Sequence, residues 1–287
     1  MSYSHDQIKS NRIGKSIVIL ICYFGEFPWY FDYFLHSCKY NPTVHFIIIT
    51  DDEAYSKTLP ENIIIINKSM AELNDLASEK LGFKTHINNT RKLCDFKPAY
   101  GFLFSDLIRD YDFWGHGDID VIYGDIRNFI THELLDTYEL INVRSDYLAG
   151  YFLLFENNQK MNTLFMESKD YQKVLSSDIH YCFDETNFKF IEFFDGLPYR
   201  DIKSEVESMT HVVKKLHNEN YIRAYFDLHA IERLTGNITW NKGQLIYKDE
   251  YEILLYHLKH LKTKYNPGKT PKKIPDTFHI GQSRIYH

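Results

Sequence analysis

The sequence predicts an α/β fold in a single domain, with a mostly parallel sheet in the N-terminal half and a mixed C-terminal half. Three observations predict it. Short apolar runs alternate with helix-length segments through the first third of the chain. The 287 residues are 44% hydrophobic and 25% charged, the balance of a globular core and not of a disordered chain. No internal repeat and no linker divides them, so residues of about 16–125 read as one half, about 126–261 as a second half, and 262–287 as a basic tail.

The elements follow in order. Ser16 to Tyr23 is a β-branched apolar run and reads as a buried first strand. Phe24-Gly25-Glu26-Phe27-Pro28 is a loop, and Pro28 suits the first turn of a helix over Trp29 to Cys38. Val44 to Ile49 is a second strand ending in Thr50-Asp51-Asp52, and Asn62 to Ile66 a third. Ser69 is the N-cap of a helix to about Leu81. Lys92 to Lys97 is a polar loop before Pro98, which opens a helix to about Arg109.

Further on, Ile126 to Asp136 reads as helix, Glu139 to Val143 and Tyr151 to Phe155 as strands, and Asn162 to Lys169 as a short helix. Glu205 to Leu216 places Val206, Met209, Val213 and Leu216 on one helical face. Ile238 to Trp240 and Leu245 to Tyr247 flank Asn241-Lys242-Gly243-Gln244, a hairpin signal. Tyr251 to Leu261 suits strand or helix, and from Lys262 the chain reads as irregular.

A net charge of −6 argues against a nucleic-acid partner held by phosphate neutralisation, although the tail has the opposite sign. The 16% aromatic content suits a thick core or surfaces for stacking rings. Cys22, Cys38, Cys94 and Cys182 show no Cys-x-x-Cys pairing and sit in or beside apolar runs, as buried, reduced thiols of a cytoplasmic protein do. No signal peptide is visible, and Ile17 to Phe24 is too short to span a membrane. There is no Gly-x-Gly-x-x-Gly after the first strand and no phosphate-binding loop of the Gly-x-x-x-x-Gly-Lys-Ser/Thr type.

The chemistry concentrates in Tyr111-Asp112-Phe113-Trp114-Gly115-His116-Gly117-Asp118-Ile119-Asp120. In an extended segment, residues two apart face the same side, so Asp118 and Asp120 would present both carboxylates together. Such a pair raises its own pKa values unless a cation neutralises it, and oxygen ligands of this kind suit Mg²⁺ or Mn²⁺ with substrate phosphates. The alternative is a turn in which the aspartates cap backbone groups. A third contact is available in His257 and His260, which precede Lys262, Lys264, Lys269, Lys272 and Lys273. A neutral imidazole ligates Mn²⁺ and lysines offset diphosphate charge, whereas the alternative is a solvated basic tail.

These residues resemble the GT-A-type glycosyltransferases: strand and aromatic loop first, Thr50-Asp51 after the second strand, Asp118-x-Asp120 mid-chain, and His257 with lysines near the end. Lys92-Leu93-Cys94-Asp95-Phe96-Lys97-Pro98 followed by Trp114 to Asp120 further resembles a poorly characterised bacterial group associated with surface polysaccharide genes. The resemblance covers about Ile17 to Lys264 and implies a GT-A-like domain with a Rossmann-like sheet. It implies transfer of a sugar from a nucleotide-sugar donor to a glycan or lipid-linked acceptor, with Mn²⁺ or Mg²⁺ as cofactor. Residues 16–125 would then bind the nucleotide and 126–261 face the acceptor.

By position, the resemblance gives Asp118 to the sugar, ribose and metal, Asp120 and His257 to the metal, and Tyr23, Phe24 and Gly25 to the nucleotide. It gives Asp51 and Asp95 to the base or ribose, Lys97 to the phosphates and Lys262 to the leaving diphosphate. Asp51 as a turn residue and Asp95 as a helix cap are the structural alternatives. An inverting reaction also needs a general base, for which Asp184 and Glu185 are the candidates, with Asp146 and Gly150 as a second patch. The basic tail would offer a peripheral contact with the inner face of a membrane.

Two rivals remain. A haloacid dehalogenase-type phosphatase would use Asp118 as nucleophile, but Trp114-Gly115-His116-Gly117 stands where that family has a buried apolar strand. A non-catalytic carbohydrate-binding module would leave the Asp pair, His257 and the lysines without a shared purpose.

Overall fold

The computed structural model describes residues 14–55, 57–268, 271 and 273–287. Lys269 and Lys272 of the tail lie outside the described residues, as does most of the polar lead before Ser16.

A seven-stranded sheet, ordered β3-β2-β1-β4-β7-β6-β8, forms the centre. Its strands are β1 (Ile17–Cys22), β2 (Val44–Thr50), β3 (Ile63–Asn67), β4 (Phe113–Gly117), β6 (Leu140–Asn142), β7 (Phe152–Glu156) and β8 (Ala224–Phe226). The first four are parallel to one another, as the crossovers through α1 (Phe31–Lys39) and α2 (Met70–Leu81) require. Strand β7 then runs antiparallel to both β4 and β6. The sheet is therefore mixed, not mostly parallel, because the chain returns to β4 from its far side through β6 and β7. The fold is a single mixed α/β domain.

Both faces of the sheet are buried, which explains the unbroken apolar runs. Ile17, Ile19 and Ile21 face a core shared with α1, while Val18 and Leu20 face a second core with α2 and α3 (Met209–Asn218). Helix α2 begins as expected: Ser69 accepts from the Glu72 amide and Glu72 returns a bond to the Ser69 amide, a capping box. The helix expected from Pro98 to Arg109 is instead a 3-10 segment (Lys92–Ala99) followed by two four-residue helices. Pro98 lies inside the 3-10 segment, and Lys92, Asp95 and Lys97 are drawn into the core instead of forming a polar loop. Residues 126–137 likewise break into two short helices, each with its own cap at Asp125 or Thr131. Helix α3 starts at Met209, not Glu205, and the short helix expected over Asn162 to Lys169 lies at Gln159–Asn162 with a 3-10 turn after it.

The C-terminal part departs furthest from expectation. The hairpin β10 (Ile238–Asn241) and β11 (Gln244–Tyr247) forms as predicted, with Lys242 and Gly243 at its turn. It continues into a five-stranded sheet, β12-β11-β10-β14-β15, with β12 (Tyr251–Ile253), β14 (Thr277–Ile280) and β15 (Ile285–Tyr286). The end of the tail, residues 277–286, thus joins a sheet instead of staying irregular, and Phe278 is buried there and stacks on Trp240 at 5.1 Å. Trp240 in turn donates to the Tyr123 carbonyl at 2.9 Å. The largest buried side chains are mostly aromatic, among them Trp114, Trp240, Tyr100 and Phe96, so much of the aromatic content serves the core.

A third sheet, β5-β13-β9, joins β5 (Val121–Tyr123), β13 (Leu255–His257) and β9 (Ala230–Ile231). Its register sets His257 opposite Val121, the residue after Asp120. The Leu258 amide then donates to the Asp120 carbonyl at 2.8 Å. This pairing closes a sequence gap of 137 residues.

Phe278→Ala should lower the unfolding free energy by about 3–5 kcal/mol, the usual cost of emptying a buried aromatic site. Urea denaturation measures it, and a solvated tail would leave the midpoint almost unchanged.

Candidate metal and nucleotide site

At the C-terminal end of β1, where open α/β sheets place ligands, lies a cavity of about 260 Å³. Cys22, Tyr23, Phe24, Tyr30, Lys97, Asp118, Asp120 and Lys262 contribute to its wall, so residues far apart in sequence meet there. Asp118 and Asp120 occupy a bend between β4 and β5, not an extended segment. The bend arises because β4 belongs to the central sheet and β5 to the three-stranded one.

Each carboxylate of the pair has its own cation. The Lys97 ammonium lies 2.6 Å from Asp118 and also donates to the Gly150 carbonyl at 2.9 Å. The Lys262 ammonium lies 2.6 Å from Asp120, with the His257 Nε2 atom at 3.2 Å from the same oxygen. Burial disfavours the charge on Asp120, but His257 and Lys262 outweigh it and hold the carboxyl below the usual range. Burial would also strip the proton from His257, yet Asp120 and then Glu232 raise its pKa to about 9. Lys97 is buried too, and Asp118 beside it keeps it charged, its pKa pushed up.

Asp118, Asp120 and His257 each offer a ligand atom, all within 4.8 Å of one another. Two carboxylates and an imidazole form a donor set that Mn²⁺ accepts and Mg²⁺ tolerates. The His257 Nδ1 atom is buried without a hydrogen-bond partner, its nearest anion being Glu232 at 3.9 Å. The residues therefore fit a divalent ion, provided that Lys262 gives way and His257 is neutral. Lys262 is half-exposed on a short helix (Leu261–Lys264), so it can swing aside.

The remaining residues singled out from sequence divide into wall and support. Tyr23 and Phe24 line the cavity, whereas Gly25 does not. Gly25 has a φ of 98°, a left-handed conformation that lets its amide donate to Asp51 at 2.7 Å. Asp51 thus pins the loop after β1, and Asp52 repeats this with the Phe27 amide at 3.1 Å. Asp51 is exposed and ties down this loop as a turn residue does. Asp95 is fully buried behind the cavity, where it accepts from Lys92 at 3.0 Å and from the Tyr181 and Phe183 amides at 2.9 Å. It is a structural anchor instead of a ribose contact or a helix cap.

Asp184 and Glu185, the candidate bases, are also absent from the cavity wall among the described residues. Glu185 is engaged by the Gly150 amide at 2.9 Å. Asp184 is buried 3.9 Å from Lys97, and burial pushes its pKa up. A Cβ at residue 150 would sit 2.6 Å from the Asp184 carboxylate, so glycine is required for this approach. Asp146 is held by Arg144 through two hydrogen bonds of 2.8 and 2.6 Å. Asp95, His180 and Asp184 form a second group with ligand atoms within 4.8 Å, although Asp95 already accepts three bonds.

Sequence reasoning missed Tyr30 and Thr90 on the wall and Glu232 behind His257. Glu232 also pairs with Arg144 at 3.1 Å, and the Tyr151 ring packs 4.3 Å from His257. These are contacts between separate strands and loops, for which local spacing carries no signal.

Lys92→Met should leave the Asp95 carboxylate buried without its cation and destabilise the protein by about 3–5 kcal/mol. Urea unfolding would show this. An unchanged midpoint would mean that the backbone amides of Tyr181 and Phe183 suffice.

No curated protein matches the chain. Residues 19–287, which include the whole of the site, match the family of unknown function DUF6625, and the chain belongs to that family.

Proposed function

We propose that the protein is a metal-dependent glycosyltransferase that moves a sugar from a nucleotide-sugar donor to a glycan or lipid-linked acceptor, in surface polysaccharide synthesis. The observation that carries this reading is the convergence of Asp118, Asp120 and His257 beside a cavity that also holds Lys97, Lys262, Tyr23 and Phe24. Asp118, Asp120 and His257 would hold Mn²⁺ or Mg²⁺. When bound, the ion supplies Lewis-acid stabilisation of the negative charge that a leaving diphosphate develops.

The chain's own residues supply the rest. Two ammonium groups, Lys97 and Lys262, already point at this cavity, and a diphosphate competes for both with the carboxylates. Lys262 is the more exposed and the freer to move onto the leaving group, while Lys97 stays fixed by the Gly150 carbonyl. Tyr23, Phe24 and Tyr30 present aromatic surface for a base or sugar ring. The GT-A type of fold belongs to this reading, which rests on the parallel β3-β2-β1-β4 half of the sheet.

One observation favours a second reading. Phe113–Gly117 is a fully buried strand after all, so Asp118 does follow a buried strand as a phosphatase nucleophile would. Release of inorganic phosphate from sugar phosphates, lost in Asp118→Asn, would favour that rival.

The test is titration of UDP, GDP and CMP with and without Mn²⁺, followed by donor hydrolysis with a panel of sugar nucleotides. One nucleotide should bind in a Mn²⁺-dependent manner, and Asp120→Ala should weaken it at least tenfold, about 1.4 kcal/mol. His257→Ala should act in the same direction. Absence of both binding and nucleotide release for the whole panel would overturn the proposal.

A further inference from the structure

His257 has two ring nitrogens, and only one of them faces the carboxylate pair. Nε2 lies 3.2 Å from Asp120, whereas Nδ1 is buried without a hydrogen-bond partner. A buried polar nitrogen left unpaired is rare in folded proteins. The anion nearest to it is Glu232, whose Oε1 atom is 3.9 Å away. Strand register puts it there. β9 runs parallel to β13 with Ile231 opposite Tyr256, so the next residues along, Glu232 and His257, come side by side where the pairing ends.

Glu232 is itself held in place. Its other oxygen, Oε2, is 3.1 Å from Arg144 Nη1. Arg144 has little freedom, since it donates to Asp146 at 2.8 and 2.6 Å and lies over the Tyr147 ring at 4.0 Å. The Tyr151 ring, 4.3 Å from the imidazole, limits rotation of His257. Glu232 thus has one oxygen engaged by a fixed guanidinium and the other beside Nδ1. It does not belong to the group of ligand atoms that Asp118, Asp120 and His257 form. Metal-ligating histidines commonly donate their other N–H to a carboxylate, which fixes both the tautomer and the plane of the ring.

We infer that, given the metal site proposed above, Glu232 is the positioning residue of His257: it accepts a hydrogen bond from Nδ1–H and so leaves Nε2 as the ligand nitrogen. Shortening the 3.9 Å gap to hydrogen-bond distance takes a movement of about 1 Å, a tilt of the ring as Nε2 turns from the Asp120 oxygen to an ion. Without Glu232 the opposite tautomer competes, with its proton on Nε2 beside Asp120 and no lone pair there for a cation.

Binding of Mn²⁺ alone, with no nucleotide, tests this. Electron paramagnetic resonance counts the free ion, and pulsed measurements on the bound ion detect a coordinated nitrogen. The wild type should bind one ion with an imidazole nitrogen coupling that His257→Ala removes. Glu232→Ala should bind at least tenfold more weakly and lose the nitrogen coupling. Glu232→Gln, whose amide oxygen still accepts from Nδ1–H, should recover the coupling. Unchanged affinity and coupling in Glu232→Ala would overturn the inference and leave the metal site standing. An equal loss of affinity in both variants with the coupling kept would make Glu232 a source of negative potential only, and would also overturn it. Absence of Mn²⁺ binding by the wild type would instead overturn the metal site, and the inference with it. Should Glu232→Ala not fold, a crystal of the wild type with Mn²⁺ decides: Oε1 of Glu232 should stand within about 3.2 Å of Nδ1, and an unclosed gap would overturn the inference.

Discussion

Carboxylates cannot be crowded at the end of a buried sheet unless cations are folded in with them, and this constraint shapes the region around Asp120. At about 4 Å, two unit charges interact by roughly 4 kcal/mol even at an effective dielectric of 20. Asp118 and Asp120 lie well within that regime, and Glu232 approaches from beyond His257. The chain answers with Lys97 from the 3-10 segment, Lys262 from the short C-terminal helix, His257 from β13 and Arg144 from the loop after β6. Each comes from a different element, so the electrostatic balance also ties the elements together. The register of β13 on β5 is the hinge of this arrangement, since a slip of one residue would turn His257 to the opposite face.

The same balance gives the site its chemical character. Under the proposed function, an ion would take the carboxylates of Asp118 and Asp120 and a diphosphate would draw Lys262 away, while Lys97 stays on the Gly150 carbonyl. Behind this exchangeable layer stands a permanent one. Lys92 and Asp95 are both fully buried, and Asp95 holds the amides of Tyr181 and Phe183. That arrangement sets the loop carrying Asp184 and Glu185 against Gly150 and so fixes the carbonyl that holds Lys97.

Much of the N-terminal half, and the hairpin of the C-terminal half, was legible because the signals are local. The Ser69 cap, the Ile-rich strands and the Asn241-Lys242-Gly243-Gln244 turn all declare themselves within a few residues. What was not legible depends on distant partners. The run from Tyr251 to Leu261 contains two strands in two different sheets, and no periodicity within it could assign them. The tail was read as irregular from its lysines and prolines, yet Phe278 and Ile280 bury themselves against β10. At the candidate site, residue type singled out Asp118, Asp120, His257, Lys97 and Lys262, which the structure brings together, because each is a charged or ligating side chain near a motif. It could not place Asp95, because a buried, hydrogen-bonded aspartate and a ligand-binding one look alike in sequence.

The central claim is that Asp118, Asp120 and His257 together hold a divalent ion. Anomalous diffraction from crystals grown with Mn²⁺ and a nucleoside diphosphate tests it most directly. The account requires one ion at about 2.1 Å from both carboxylates, with the His257 imidazole in its coordination shell and the Lys262 ammonium moved off Asp120. An ion between Asp95, His180 and Asp184 instead, or none with both lysine pairs intact, would contradict it.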